Sequence, residues 1–328
     1  MGYFRQLGAS FIVFSAALTA FAQPKIVKVD GSSTVYPLTE AVAEEFKTEK
    51  PEINVTVGIS GTGGGFKKFC RGETDIQGAS RPITKSEMDA CKKAGVKYFE
   101  LPIAFDAITI VVSPKNDWVD KITVAELKKI WEPEARGKVT KWNQIRPEWP
   151  DARIKLFGAG ADSGTFDYFT EVIMGKARAS RPDYTPSEDD NTTVIGVSSD
   201  KYALGYLPYA YYEPNKKRLK ALAVDNGKKT VLPSTETIQD GSYMPLARPI
   251  FIYVNEASLK KPEVKEFTEY YIKNVGPLAS HVKYVPLPQK AYGLVMERLK
   301  KGKIGTVFAG ETHVGSKVDE LLKKEAKL

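Results

Sequence analysis

Leu101-Pro102-Ile103-Ala104-Phe105-Asp106-Ala107-Ile108-Thr109-Ile110-Val111-Val112-Ser113 and Pro245-Leu246-Ala247-Arg248-Pro249-Ile250-Phe251-Ile252-Tyr253-Val254-Asn255 stand out as long apolar runs. Their β-branched and aromatic density is strongest over Ile108–Val112 and Ile250–Val254, which gives both runs strand character. What lies on either side of them decides the architecture. Before the first run, short β-rich segments alternate with amphipathic helices. Between the two runs stands a second unit of the same kind, and after the second run the chain is again helical. One economical arrangement makes the two runs crossovers: the chain enters a second domain through one and returns to the first through the other.

The outer segments fill in this α/β plan. Lys25–Val29 reads as a strand and Ile53–Ile59 as another. The helix between them carries Leu38, Val42 and Phe46 at four-residue spacing and ends at Pro51. A glycine cluster at 61–65 leads into a short helix through Phe66 and Phe69; a strand at Asp75–Ala79 and a helix at Lys85–Ala94 follow. In the inserted unit, helices are expected at Val124–Trp131 and Thr165–Met174, with strands at Ile154–Phe157 and near Leu204–Leu207. Helices at Pro262–Lys273 and Gln289–Lys301 close the chain. Alternation of this kind implies helices covering a mostly parallel sheet.

The whole, 328 residues with 42% hydrophobic content, suits two domains with real cores. Residues 1–22 read as a secretory signal: Arg5, an apolar stretch from Phe11 to Leu18, then Ala20-Phe21-Ala22 before Gln23. That stretch falls well short of the ~20 residues a membrane span needs. The mature protein is therefore expected outside the cytoplasm, in the periplasm, with cleavage after about Ala22. Cys70 and Cys91 are the chain's two cysteines. An oxidising compartment favours a disulfide between them over two buried thiols. Two cysteines and two histidines, His281 and His313, exclude a structural zinc site. The net charge of +8 comes from lysines scattered on helical stretches without aromatic interleaving. These read as solvated faces and give no nucleic-acid surface; the positive field favours encounter with a small anion.

Three segments share one design, a β run, a turn of small and hydroxyl residues, then a helix. They are Asp30-Gly31-Ser32-Ser33-Thr34, Ser60-Gly61-Thr62-Gly63-Gly64-Gly65 and Gly160-Ala161-Asp162-Ser163-Gly164-Thr165. Helix N-termini present unpaired N–H groups and partial positive charge, glycine admits close backbone approach, and hydroxyls add neutral donors. Any one of these turns is explained by helix capping alone. Three of them, two before the first crossover and one after it, point to an anion held in one cleft between domains. Neither glycine cluster has dinucleotide or P-loop spacing, and Ser163 does not sit in a nucleophile elbow. The residues therefore point to a binding protein with no catalytic group and no cofactor.

The segments Gly31–Pro37, Ser60–Phe66, Gly78-Ala79-Ser80-Arg81-Pro82, Lys141–Ile145, Asp162–Phe169, Ser187–Asn191 and Ala203–Tyr206 together resemble the periplasmic phosphate-binding proteins of ABC uptake systems. The similarity runs collinearly over essentially the whole mature chain. It implies a type II periplasmic-binding-protein fold, two α/β lobes joined by two crossover strands and closing on one inorganic phosphate. Residues 23–107 and 249–328 would form one lobe and 108–248 the other, in a monomer that delivers phosphate to membrane-embedded permease subunits. Carried over by motif, the implied ligands are Ser33, Thr34 and Val35 (the last by its backbone), Thr62, Ser80, and Ser163, Gly164 and Thr165.

In one respect the chain departs from the pattern. Many relatives have an aspartate after Gly-Ala-Ser and an arginine shortly before Ser-Gly-Thr. Here Arg81 takes the first position and Gly158-Ala159-Gly160-Ala161-Asp162 the second region. Either the charges are exchanged, Arg81 supplying the cation and Asp162 the carboxylate, or Asp162 is a helix N-cap and Arg81 an ion-pair partner. The other readings of the chain are a carrier of another oxyanion such as sulfate, molybdate or phosphonate, a secreted phosphate-handling enzyme, and an adhesive or sensory protein on the same fold.

Overall fold

The computed structural model describes residues 1–2, 25–161, 163–187 and 189–307. Most of the expected signal segment, Asp162, Glu188, His313 and the Lys-rich end lie outside the described residues.

Lys25–Gly31 (β1) leads into Tyr36–Glu49 (α1), which buries Leu38, Val42 and Phe46 as their spacing predicts. Ile53–Val57 (β2) leads into Gly61–Phe69 (α2), and Ile76–Ala79 (β3) into Lys85–Lys93 (α3). The sequence places the glycine cluster before a helix; the structure winds it into the first turns of α2. Each helical glycine costs up to about 1 kcal/mol relative to alanine, but close packing requires one here. A Cβ on Gly65 would lie 2.7 Å from the Gly31 Cα.

Tyr98–Val112 (β4) is buried along its whole length. The inserted unit then runs through Lys121–Thr123 (β5), Val124–Trp131 (α4), Lys155–Ala159 (β6), Gly164–Met174 (α5), Thr185–Ser187 (β7) and Asp190–Ser199 (α6). Ala203–Pro208 (β8), Tyr209–Asn215 (α7), Lys220–Ala221 (β9), Ala223–Asp225 (β10), Thr230–Val231 (β11) and Thr235–Gln239 (α8) complete it. The return consists of Ala247–Asn255 (β12), Pro262–His281 (α9), Val285–Pro286 (β13) and Gln289–Lys300 (α10). Helix α9 outruns the stretch read from sequence, passing through Pro277, because Val275 and Ala279 continue the buried stripe begun at Val264.

The main sheet has the order β2-β1-β3-β12-β4-β8-β6-β7. Strands β1, β2 and β3 are parallel, as are β6, β7 and β8, so the turns entering α1, α2 and α3 share one edge. The long strand β4 pairs with β12 over Tyr98–Ala107 and with β8 over Ile108–Val112, and so belongs to the sheets of both lobes. Strand β12 pairs with β3 and with the first part of β4. The second crossing therefore falls just before β12, where the Leu246 carbonyl accepts from the Ile108 N–H at 2.8 Å. The fold is a two-lobed α/β architecture with a curled sheet passing between the lobes.

Cys70 and Cys91 form a disulfide that ties the end of α2 to α3. On the chain-entropy model, closing a loop of that length stabilises by about 3 kcal/mol.

Candidate functional site

The first turn begins at Gly31, whose φ of +139° and close approach to Gly78 exclude a side chain; a Cβ would lie 2.2 Å from the Gly78 carbonyl oxygen. Ser32 donates its N–H to that same carbonyl at 2.9 Å, and its hydroxyl accepts from the Thr34 N–H at 3.2 Å. Thr34 is buried and Ser33 half-buried. The Val35 N–H donates to the Ser32 carbonyl at 3.1 Å, and the Val35 side chain packs at the spot a Cβ of Gly78 would need. In this structure Val35 therefore closes the turn with the amide expected to face a ligand.

The other two turns lock onto the first. The Ser60 N–H donates to the Gly31 carbonyl at 3.0 Å, and Lys68 reaches both Asp30 (2.8 Å) and the Ser60 hydroxyl (2.6 Å). The Thr62 hydroxyl lies 3.1 Å from that of Ser80 and accepts the Ser80 N–H at 3.2 Å, joining the α2 turn to the end of β3. From the opposite lobe comes the start of α5, where the Ser163 hydroxyl caps the helix by accepting from the Thr165 N–H at 3.2 Å. Gly164 faces the first turn directly. A Cβ there would lie 3.2 Å from both the Cα and the Oγ1 of Thr34. The structure thus sets Gly164 at the start of α5 against Thr34, and joins Thr62 to Ser80 beside the first turn through the Ser60–Gly31 bond.

Arg81 stands at the rim. Its guanidinium bonds both carboxylate oxygens of Glu87 at 2.9 Å and the Pro82 carbonyl at 3.1 Å. Burial works to raise the Glu87 carboxyl, but the Arg81 guanidinium and the Thr84 N–H hold it below its ordinary range. Glu87 also completes the capping box that starts α3. Arg81 thus has the ion-pair geometry of the second sequence alternative. Asp162, the other half of the expected exchange, lies outside the described residues.

Sequence reasoning missed a second pair of charges, at the cleft floor. Asp106 on β4 and Arg248 on β12 are register partners across the two crossing segments. Asp106 is only 2% exposed, and its Oδ2 sits 3.6 Å from Arg248 Nη2, beyond hydrogen-bond reach. Asp106 Oδ2 and Arg248 Nε are both buried without a hydrogen-bond partner. Burial pushes the Asp106 carboxyl up to about 6, against the pull of Arg248. The Arg248 guanidinium also lies 3.6 Å from the Tyr168 ring centroid and donates to Glu171 of α5 at 3.2 Å.

Two tyrosines stand close to this pair. The Tyr284 hydroxyl donates to the Thr34 carbonyl at 2.5 Å, and its ring environment feels both Asp106 and Arg248. Tyr168 stands four residues after Gly164, one helical turn along the same face of α5, and donates to the Pro245 carbonyl at 2.8 Å. The signal for this floor is legible in the opening runs, Leu101–Ser113 and Pro245–Asn255, because each carries a single charged residue among mostly apolar ones. Buried charges of that kind are almost always paired.

A family model described as a PBP superfamily domain matches residues 18–275. SphX of Synechocystis sp. is 52% identical over 95% of this chain and 93% of its own length. The phosphate-binding protein PstS of Staphylococcus saprophyticus is 38% identical over 92% of this chain and 86% of its own. The crystal structure of a possible phosphate binding protein from Planctomyces limnophilus superposes with a TM-score of 0.81 at 49% identity, covering 84% of this chain and 98% of that one.

Proposed function

This chain belongs to the PBP superfamily, in the company of the SphX and PstS binding proteins, and we propose that it is an extracytoplasmic carrier that captures inorganic phosphate and hands it to the permease of an ABC transporter. The observation that carries this reading is the meeting of Gly164 with Thr34. It sets an N-terminal helix turn of one lobe against a hydroxyl-rich turn of the other. A tetrahedral anion seated there would be held by amides and hydroxyls from both lobes at once. Residues 1–22 are removed on export in this account. The lobes, 23–107 with 249–328 and 108–248, rock about the crossing segments in a monomer that does no chemistry on its ligand.

Calorimetric titration of the mature protein with phosphate, sulfate and arsenate tests the reading. Phosphate should bind at micromolar strength or tighter, about −8 kcal/mol or better, and sulfate far more weakly. Absence of phosphate binding at millimolar ligand, or equal binding of sulfate, contradicts it. Turnover of a phosphomonoester by the purified protein would overturn the carrier role.

A further inference from the structure

We infer that Asp106 and Arg248 are ligand-reading groups: Asp106 accepts the hydrogen bond of the proton that phosphate still carries near neutral pH, and Arg248 supplies the guanidinium that faces the anion's charge. This rests on the phosphate reading above and adds two charged groups that lie outside the three turns. Three features of the floor support it. Asp106 Oδ2 and Arg248 Nε have no hydrogen-bond partner although both are buried. Such groups cost stability unless something satisfies them. The two side chains oppose each other at 3.6 Å without a hydrogen bond, so acceptor and donor capacity remains on both. Their neighbours Tyr284 and Tyr168 are the residues that link Thr34 and the α5 turn to the crossing segments.

The chemistry follows from the valences. Hydrogen phosphate presents one O–H donor and several acceptor oxygens; sulfate at the same pH presents acceptors alone. An ionised Asp106 can take the phosphate proton as a charge-assisted hydrogen bond, but it meets only lone pairs on sulfate. Arg248 offers N–H donors to an unprotonated oxygen of either anion. Placed on the two crossing segments, the pair would read the ligand where lobe closure is hinged.

The test is competitive titration of the wild-type protein and of Asp106→Asn with phosphate, sulfate and monofluorophosphate. Monofluorophosphate is tetrahedral and dianionic but carries no proton at neutral pH. Wild type should reject it relative to phosphate by about 10-fold or more, the scale of one charge-assisted bond. Asp106→Asn should lower the phosphate-over-sulfate ratio by at least about 10-fold on the same scale. A wild-type protein that binds phosphate but accepts monofluorophosphate equally, or an Asp106→Asn protein with an unchanged ratio, overturns the inference and leaves the phosphate reading standing. Failure of wild type to bind phosphate at all removes the reading itself. Should Asp106→Asn not fold, the carboxyl carbon resonance of Asp106 in labelled wild type decides. It should move on saturation with phosphate and not with sulfate, and an unmoved signal contradicts the assignment.

Discussion

Two arginine–carboxylate pairs line this cleft, and they differ in what they have left to give. At the rim, Arg81 and Glu87 meet in a two-point contact at 2.9 Å, and Glu87 is further occupied by the start of α3. At the floor, Arg248 and Asp106 stand 3.6 Å apart with buried atoms unbonded. The first pair is closed on itself: both Glu87 oxygens and three of the five Arg81 N–H donors are engaged. The second is unfinished, and a protein retains an unfinished buried pair at a cost. The difference teaches that a charge is available to a ligand only when the fold has not already spent its hydrogen-bonding capacity, and residue type alone does not reveal that.

The comparison breaks first at Arg248. Replacing it with Gln should weaken phosphate binding by about 100-fold, the upper range for a lost charge-assisted bond. A change under about threefold would make the floor structural.

Next in size is a pH effect on the ligand-free protein. Asp106 is faced by Arg248 of β12, by Tyr168 of α5 and by Tyr284, and burial raises its carboxyl from 3.8 to about 6. A carboxyl raised on folding adds stability that is fully present below its unfolded value and is lost as pH rises through the folded one. Wild type should therefore lose up to ~3 kcal/mol relative to Asp106→Asn between about pH 4 and pH 7, at about 1.4 kcal/mol per pH unit. Denaturant titrations at several pH values measure this, and a flat difference would mean that Asp106 is not desolvated.

At the rim, the disulfide and Arg81 should matter to stability more than to the ligand. Cys91→Ser should cost about 3 kcal/mol in a denaturation experiment while leaving phosphate affinity within about threefold on a scale of 1.4 kcal/mol per tenfold. The smallest effect belongs to Arg81→Gln. It should loosen the start of α3 by about 1 kcal/mol with little change in phosphate affinity. A loss near that of Arg248→Gln would transfer the ligand role to the rim.

Much of this fold was legible because periodicity and burial coincide. Leu38, Val42 and Phe46 predict α1, and Val124–Trp131 predicts α4 with the bounds the structure gives. The three-stranded sheet of β11, β10 and β5 was not legible, because strands of two or three residues carry no pattern. The candidate site divided along the same line. The three turns could be found because the glycines and hydroxyls sit beside helix starts in the sequence itself. Asp106 and Arg248 could not be paired that way: 142 positions separate them, and the antiparallel register of β4 and β12 alone makes them partners. Arg81 attracted attention through its motif, yet its role depends on Glu87 one turn into the next helix.

A crystal structure of the mature protein with bound phosphate tests the account most directly. One phosphate should bridge the Thr34 turn and the Ser163–Thr165 turn, with an oxygen about 2.5–2.7 Å from an Asp106 carboxylate oxygen and the Arg81–Glu87 contact intact. A phosphate held by Arg81 after that contact has opened, with Asp106 and Arg248 untouched beneath it, would contradict it.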